Sequence, residues 1–423
     1  MFDWATAAIT ALSTGLVTTL ALNFVTAERR LGKIPPRWYG SDDPDFRRAT
    51  GVLLGPAILP GNEVRALVNG DQIFPAMLEA IAGARTTLCF ETFIYWSGDV
   101  GQAFEKAFID AAARGVTAHI LLDWAGSRRM DSQMLERMSA AGVQIRIFHP
   151  LSWYHLARMN NRTHRKLLVI DGCIGFTGGV GIAGQWSGNA QDPQHWRDTH
   201  FRVTGPVVAQ MQAVFLDNWI KTTGEVLHGR NYFPAIEPAG EMDAQMFGSS
   251  QSSGSDSMHL LVLLAITAAR KTIDIGNSYF VPDRLLQRAL LDARKRGVKV
   301  RIVLPGPHID APLVRYASRA AWDQLLSAGI ELYEFMPTMF HCKVMIVDEQ
   351  WVSVGSANFD MRSFRLNYEA NLNVFSKPLA QELTAQFAID IGRSRKFVRR
   401  LWRKRSFGKR TIEWLAARLG SQL

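Results

Sequence analysis

Cysteine is scarce in this chain. Cys89, Cys173 and Cys342 are the only three, set in apolar or strand-like contexts with no CxxC pair and no Cys/His spacing. That pattern argues against structural zinc and against a disulfide framework, and free thiols suit a reducing compartment such as the cytoplasm. Charge is missing from the stretch Trp4 to Val25, and about 20 uncharged residues suffice to cross a bilayer as a helix. Many of them are Thr, Ser or Ala, so the hydropathy is moderate. The segment reads as a spanning helix, an interfacial helix, or a cleaved signal lacking the usual basic start. Acid is missing from Arg393 to Arg410, where ten Arg or Lys accumulate and account for the whole net charge of +10. A tail of this kind predicts an anionic partner, and the interleaved Phe397, Leu401, Trp402 and Phe407 favour a membrane surface over nucleic acid. "GFTGG" lacks a following Lys-Ser or Lys-Thr, which excludes a nucleotide-binding loop.

What is present is enough for two ordinary domains in 423 residues of globular composition. Arg29, Arg30, Lys33 and Arg37 follow the uncharged stretch, so the positive-inside rule places the main body on the cytoplasmic side of a bacterial-type cell membrane. Pro35 and Pro36 mark a linker. Beyond it the chain repeats itself. "ARTTLCFETFIYW" at 84–96 is answered by "ARKTIDIGNSYFV" at 269–281, "AAARGVTAHILLD" by "ARKRGVKVRIVLP", and "SAAGVQIRIFHP" by "LSAGIELYEFMP". Gly115 and Gly297 suit left-handed positions after a helix, and a strand follows each at once. Helices alternating with strands predict an α/β fold of two similar lobes, each a mixed sheet flanked by helices, packed about a pseudo-two-fold axis. The expected divisions are a membrane segment and linker over 1–40, a first lobe over 41–245, a second over 246–392 and a basic amphipathic tail over 393–423. "GSSQSSGSDS", Gly248 to Ser257, reads as the connecting loop.

Each half ends its repeat in the pattern HxKxxxxD: His164, Lys166 and Asp171, then His341, Lys343 and Asp348. In an extended chain alternate side chains share a face, so each His points with its Lys while Arg165 and Cys342 point away. Ten histidines give no reason to expect this pattern by chance at equivalent places in two repeats. Burying a His beside a Lys requires compensating partners, which makes a purely structural strand a poor explanation. Asp171 and Asp348 complete the signature and read as turn residues and hydrogen-bond acceptors. His195 and His200 flank Asp198 with a spacing that fits no common metal site.

The two motifs, with "FETFIYW", "HWRDTHFRVTGPVV", "NSYFVPD" and "VGSANFDMRSFRLNYEANL", resemble the phospholipase D superfamily, and in particular its bacterial cardiolipin synthase branch. The likeness runs over most of the chain. It implies a site between the lobes, complete in a monomer, needing no metal or other cofactor. One imidazole attacks phosphorus to give a phosphohistidine while the other gives its proton to the leaving alcohol, and Lys166 and Lys343 stabilise the phosphoryl oxygens. Similarity makes His164 the nucleophile and His341 the acid and base, although the near symmetry of the halves leaves that order open. It also supplies Asp198 and Glu369 as the carboxylates that orient the imidazoles, each on a strand returning beside its own motif. Asn358 is implied as a phosphate donor with backbone at Gly355 and Ser356. The first half departs from the pattern by placing Gly181 where an Asn is common. The implied activity is phosphatidyl transfer between phosphatidylglycerol molecules, with an anionic phospholipid and the membrane as partners and no nucleic acid. A lipid hydrolase, a nuclease and a silent membrane scaffold are the competing readings, and the oligomeric state is left open.

Overall fold

The computed structural model describes residues 3–22, 31–150, 160–249 and 257–418. The first half supplies strands β1 (Leu59–Val68), β2 (Thr87–Thr92), β3 (Thr117–Asp123), β4 (Gln144–Phe148), β5 (Leu167–Ile170), β6 (Ile174–Gly178) and β7 (Thr199–Thr204). The second supplies β8 (Met242–Ser249), β9 (Thr272–Asn277), β10 (Lys299–Pro305), β11 (Glu331–Phe335), β12 (Lys343–Val347), β13 (Trp351–Gly355) and β14 (Glu369–Phe375), and a short β15 (Ser394–Lys396) is added at one edge. All fifteen lie in one sheet, ordered β15-β11-β10-β9-β12-β13-β14-β8-β1-β7-β6-β5-β2-β3-β4. Outward from the antiparallel β8–β1 junction, both halves read alike, strand for strand. The repeated units are therefore joined edge to edge, and β8 contains the expected lobe division at 245/246.

The parallel strands β2–β3–β4 and β9–β10–β11 form the outer part of each half. Their crossovers are helices such as Asp99–Ala113 and Arg284–Lys295, and strands covered on both faces are apolar along most of their length. Gly115 and Gly297 adopt φ of 88° and 90° just beyond those helices, a backbone region that costs glycine no Cβ clash. Next to the junction, the helices Val208–Thr223 and Lys377–Gly392 pack into a single cluster that joins Phe201, Val203 and Phe215 to Val352, Leu372 and Leu383. The halves thus share core as well as sheet. Such a joint core resists independent movement of its two sides, because close-packed interiors transmit displacement.

The ends of the chain differ from expectation. Among the described residues no helix is long and apolar enough to cross a membrane. The helix Trp4–Leu22 carries Ser or Thr at 6, 10, 13, 14, 18 and 19, which keeps its hydropathy low, and Asn23 to Val25 lie outside the described residues together with Arg29 and Arg30. So do 250–256, most of the expected connecting loop, of which Gly248 and Ser249 belong to β8. The basic tail is not one helix but β15 followed by helices Arg399–Trp402 and Phe407–Arg418. Two of its apolar residues turn inward. Trp402 is buried, its ring 5.0 Å from that of Trp322 and 5.6 Å from that of Phe397. These rings fix the tail to the body, leaving Leu401 and Phe407 exposed.

The motif acids close the hairpins at the far ends of β5 and β12. Asp171 accepts backbone N–H bonds from Arg85, Thr86 and Thr87, and Asp348 accepts them from Arg270, Lys271 and Thr272 at 2.6–2.8 Å. Both have φ near +50° (52° and 53°), which Asp tolerates better than Ala. Each acid ties its turn to the start of the neighbouring strand. Replacing Asp348 by Ala strands three amides and adds backbone strain, so urea unfolding is expected to show a loss of about 2–3 kcal/mol. Asp348→Asn, which keeps an acceptor and the tolerance of positive φ, is expected to lose less.

Candidate active site

β5 begins at Leu167, so His164 lies in the extended lead-in and Lys166 adjoins the first strand residue; in the second half β12 begins at Lys343 itself. Parity holds in both. Arg165 is buried on the opposite face, donating to Val214 O and Asp217, and the Cys342 thiol lies against Thr199 and the Arg197 carbonyl. Below His164, Thr163 donates its N–H to Asp123 and its hydroxyl to Glu91, two buried acids whose role pattern reading missed.

The carboxylates are exchanged between the halves. His164 Nδ1 is 3.0 Å from Glu369, which opens β14 of the second half, and His341 Nδ1 is 2.8 Å from Asp198, which precedes β7 of the first. Expectation placed each acid beside its own motif. The main chain explains the exchange: Thr163 and Phe340 each form a parallel bridge with the other half, to Tyr368 and Arg197 respectively. The His164 amide donates to Tyr368 O and the His341 amide to Arg197 O. These bridges set each histidine beside the residue that follows its bridge partner. A second tie, the bidentate pair of Arg197 with Asp390 at 2.9 Å, is fully buried beneath the same segment.

With Nδ1–H given to a carboxylate, each neutral imidazole keeps its Nε2 lone pair. Burial pushes the His164 pKa down to about 4, against the pull of Glu369. Burial, then the Lys343 charge, lowers His341 as well. Burial alone would raise Asp198 and Glu369, but the hydrogen bonds from His341 and His164, with the nearby Lys343 and Lys166 charges, outweigh it and hold both carboxyls below their ordinary values. Their side chains are 1% and 0% exposed, whereas His164 and His341 keep 12% and 9%, so the imidazoles are the more accessible member of each pair.

The two lysines are held differently. Lys343 Nζ donates to the Ser278 hydroxyl and to His341 O, both at 2.7 Å, and lies 3.3 Å from His341 Nε2. Ser278 in turn donates to Asn358 Oδ1, which leaves the Asn358 amide nitrogen as the end able to donate. In the repeat, Phe93 stands where Ser278 does. Lys166 Nζ donates to His164 O at 2.7 Å and sits 5.6 Å from the Phe93 ring centre. Burial and the nearby Lys343 charge bring the Lys166 pKa down to about 7. Gly181, the departure at the Asn position, also has a reason. A Cβ there would come within 3.2 Å of the Trp186 ring, and Trp186 Nε1 donates to Asp198 at 2.9 Å. Pattern reading missed Trp186, Ser278 and Phe93, although aligning the repeats sets Phe93 against Ser278.

Of the other residues singled out, Ser356 gives its hydroxyl to Glu369, so it supports the carboxylate. Asp171 and Asp348 do not join the site. His195 pairs with Asp192, His200 is buried near Asp198, and no group of three metal-ligating side chains occurs among the described residues.

Two HxK pairs brought to one seam of a duplicated sheet, each imidazole completed by the other half, define a phospholipase D-type fold. The family described as cardiolipin synthase, PLD-like domain matches residues 77–216 and 262–391. Cardiolipin synthase of Alkalihalophilus pseudofirmus is 33% identical over 83% of this chain and 70% of its own length, and cardiolipin synthase 1 of Bacillus anthracis is 32% identical over 82% and 70%. The solved phosphatidylserine synthase of Haemophilus influenzae shares the fold, with a TM-score of 0.68 at 14% identity over 90% of this chain and all of that one. This chain belongs to the cardiolipin synthase family of phospholipase D-like proteins.

The exchange of carboxylates has a direct spectroscopic consequence. In protein labelled with 15N-histidine, Asp198→Asn is expected to remove the low-field Nδ1–H resonance of His341 and leave that of His164, and Glu369→Gln to do the reverse. Loss of His164's resonance on changing Asp198 would contradict the pairing.

Proposed function

We propose that the protein transfers a phosphatidyl group from one phosphatidylglycerol to the glycerol hydroxyl of a second, giving cardiolipin and glycerol. The observation that carries this reading is the pair of imidazoles bound to carboxylates through Nδ1, leaving Nε2 on the side of two lysines. His164, neutral well below physiological pH, is suited to attack. Its Nε2 bonds to phosphorus as the bond to the glycerol oxygen breaks, and His341 gives that oxygen its proton. The substrate's own negative charge beside Lys343 favours the imidazolium form that burial alone disfavours. In the second step the acceptor hydroxyl gives its proton to His341, its oxygen bonds to phosphorus, and the bond to His164 breaks. Lys166, with donors left over, and the Asn358 amide are placed to hold non-bridging oxygens. Trp186 and Ser278 act one step back, on Asp198 and Lys343.

The reading is tested by incubating purified protein with phosphatidylglycerol vesicles without added metal and resolving lipids and glycerol by mass. Cardiolipin with one glycerol per turnover is expected. Phosphatidic acid alone would replace transfer by hydrolysis. His164→Ala is expected to lower turnover by at least about 10³-fold, since it removes the covalent route, whereas His341→Ala is expected to slow both steps with phosphatidylglycerol and to let a phosphohistidine accumulate with 32P-labelled phosphatidyl-p-nitrophenol, whose leaving group needs no proton. Turnover retained in His164→Ala overturns the covalent mechanism.

A membrane surface as partner is supported at the tail. Leu401, Phe407, Trp414 and Leu415 are all more than half exposed among Arg399, Arg400, Arg403, Lys404, Lys409 and Arg410, and Leu313 and Tyr316 of the helix beneath are partly exposed too. Apolar rings under a basic rim suit an anionic lipid surface. Lys33 and Arg37, which follow the first helix, add positive charge suited to the same anionic surface. In sedimentation with vesicles, Phe407→Ser with Trp414→Ser is expected to weaken binding to phosphatidylglycerol-containing vesicles by about tenfold. Unchanged binding would assign attachment elsewhere.

A further inference from the structure

A cavity lies away from the histidines. It has a volume of 790 Å³ and opens where the helix Gly70–Ala82 crosses β1, β5, β6 and β7. Its accessible apolar surface comes from Ala76, Ala80 and Ile174, over the buried Leu67 and Ile170, and two arginines, Arg65 and Arg202, line it together. They are directly opposite each other on β1 and β7. Like charges set directly across neighbouring strands cost stability, and among the described residues neither guanidinium has an acid within ion-pair distance. The cavity has two acids. The Asp171 carboxylate is taken up by the amides of Arg85, Thr86 and Thr87 and by the Thr86 hydroxyl. That leaves Glu79 alone to face two arginines. The fold gives this arrangement no structural return: β1 and β7 are already fixed by their ladder and by the buried residues on the other face. Arg65 is exposed and Arg202 half-buried, so both guanidiniums stay open to an anion that enters the groove.

We propose that this groove binds an amphiphile, with a phosphate group held by Arg65 and Arg202 and an apolar chain laid over Ala76, Ala80 and Ile174. A forked pair of guanidiniums matches phosphate oxygens bidentately, and the volume suits a single acyl chain with its head group. The groove is not a part of the catalytic seam. It adjoins Asp171, at the opposite end of β5 from His164 and seven residues along an extended chain, about 20 Å away. An occupant here bridges β1, the junction strand, to the β5–β6 hairpin that carries the first motif.

Cys173 provides the readout. It lines the groove and is partly exposed, whereas Cys89 and Cys342 are buried with thiols pushed up to about 12. N-Ethylmaleimide at mildly alkaline pH should therefore label Cys173 selectively, with the modified peptide identified by mass. Dodecyl phosphate below its micelle concentration is expected to slow that labelling in the full-length protein. In Arg65→Ala with Arg202→Ala, labelling without ligand should be unchanged, and the concentration giving half-protection should rise by about tenfold or more. Protection by dodecyl maltoside equal to that by dodecyl phosphate, or protection indifferent to the arginines, overturns the proposal. Protection by inorganic phosphate at the same concentration assigns the arginines to a free anion and overturns the amphiphile. Labelling needs no turnover, so these outcomes are independent of those of the transferase assay.

Discussion

Everything at the seam between the repeats depends on two hydrogen bonds that cross from one repeat to the other: His164 to Glu369 and His341 to Asp198. Each fixes a tautomer, and each is fixed in turn by a strand that begins in the opposite repeat. A histidine and a carboxylate at that separation act on each other strongly only when dry. Dryness is provided by the shared core under Val208–Thr223 and Lys377–Gly392 and by the single sheet. The chemistry of the site and the continuity of the fold are thus one constraint. A shift of either repeat against the other would lengthen both bonds at once.

Within this near symmetry the halves have diverged at the positions that hold the lysines. Lys343 is held by a hydroxyl relay through Ser278 to Asn358, while Lys166 rests over the Phe93 ring with one carbonyl partner. The larger Trp186 fills the space where the second half has Asn358 and reaches Asp198. Lys343 makes two hydrogen bonds to the protein where Lys166 makes one. That difference separates the two motifs physically, whereas their letters are nearly the same.

Much of this was legible in the sequence. The repeated helix–Gly–strand units and the twin HxKxxxxD strings give the α/β class and the duplication, and parity puts His164 with Lys166 and His341 with Lys343. The exchange of carboxylates was not legible, because Asp198 and Glu369 each lie a few tens of residues after a motif and sequence distance favours the nearer histidine. The choice is made by the parallel bridges at Thr163 and Phe340, contacts between segments far apart in the chain. The tail misled for a related reason. Phe397 and Trp402 have the spacing of an amphipathic anchor, but Trp322 offers an aromatic surface nearer than any lipid. The first helix shows the limit of counting uncharged residues, since its hydroxyls subtract from hydropathy without adding charge.

The antiparallel β1–β8 junction has a bearing on ancestry and assembly. Strands related by a two-fold axis and paired edge to edge are the form that a contact between identical subunits takes. A polypeptide consisting of one repeat would present the β1 edge unpaired and a histidine without its acid. Two copies meeting at that edge would remove both defects together, each lending its carboxylate to the other. The present chain has this arrangement made permanent by a peptide connection, which frees the two copies to change separately. Phe93 facing Ser278, and Gly181 with Trp186 facing Asn358, are what that freedom has produced.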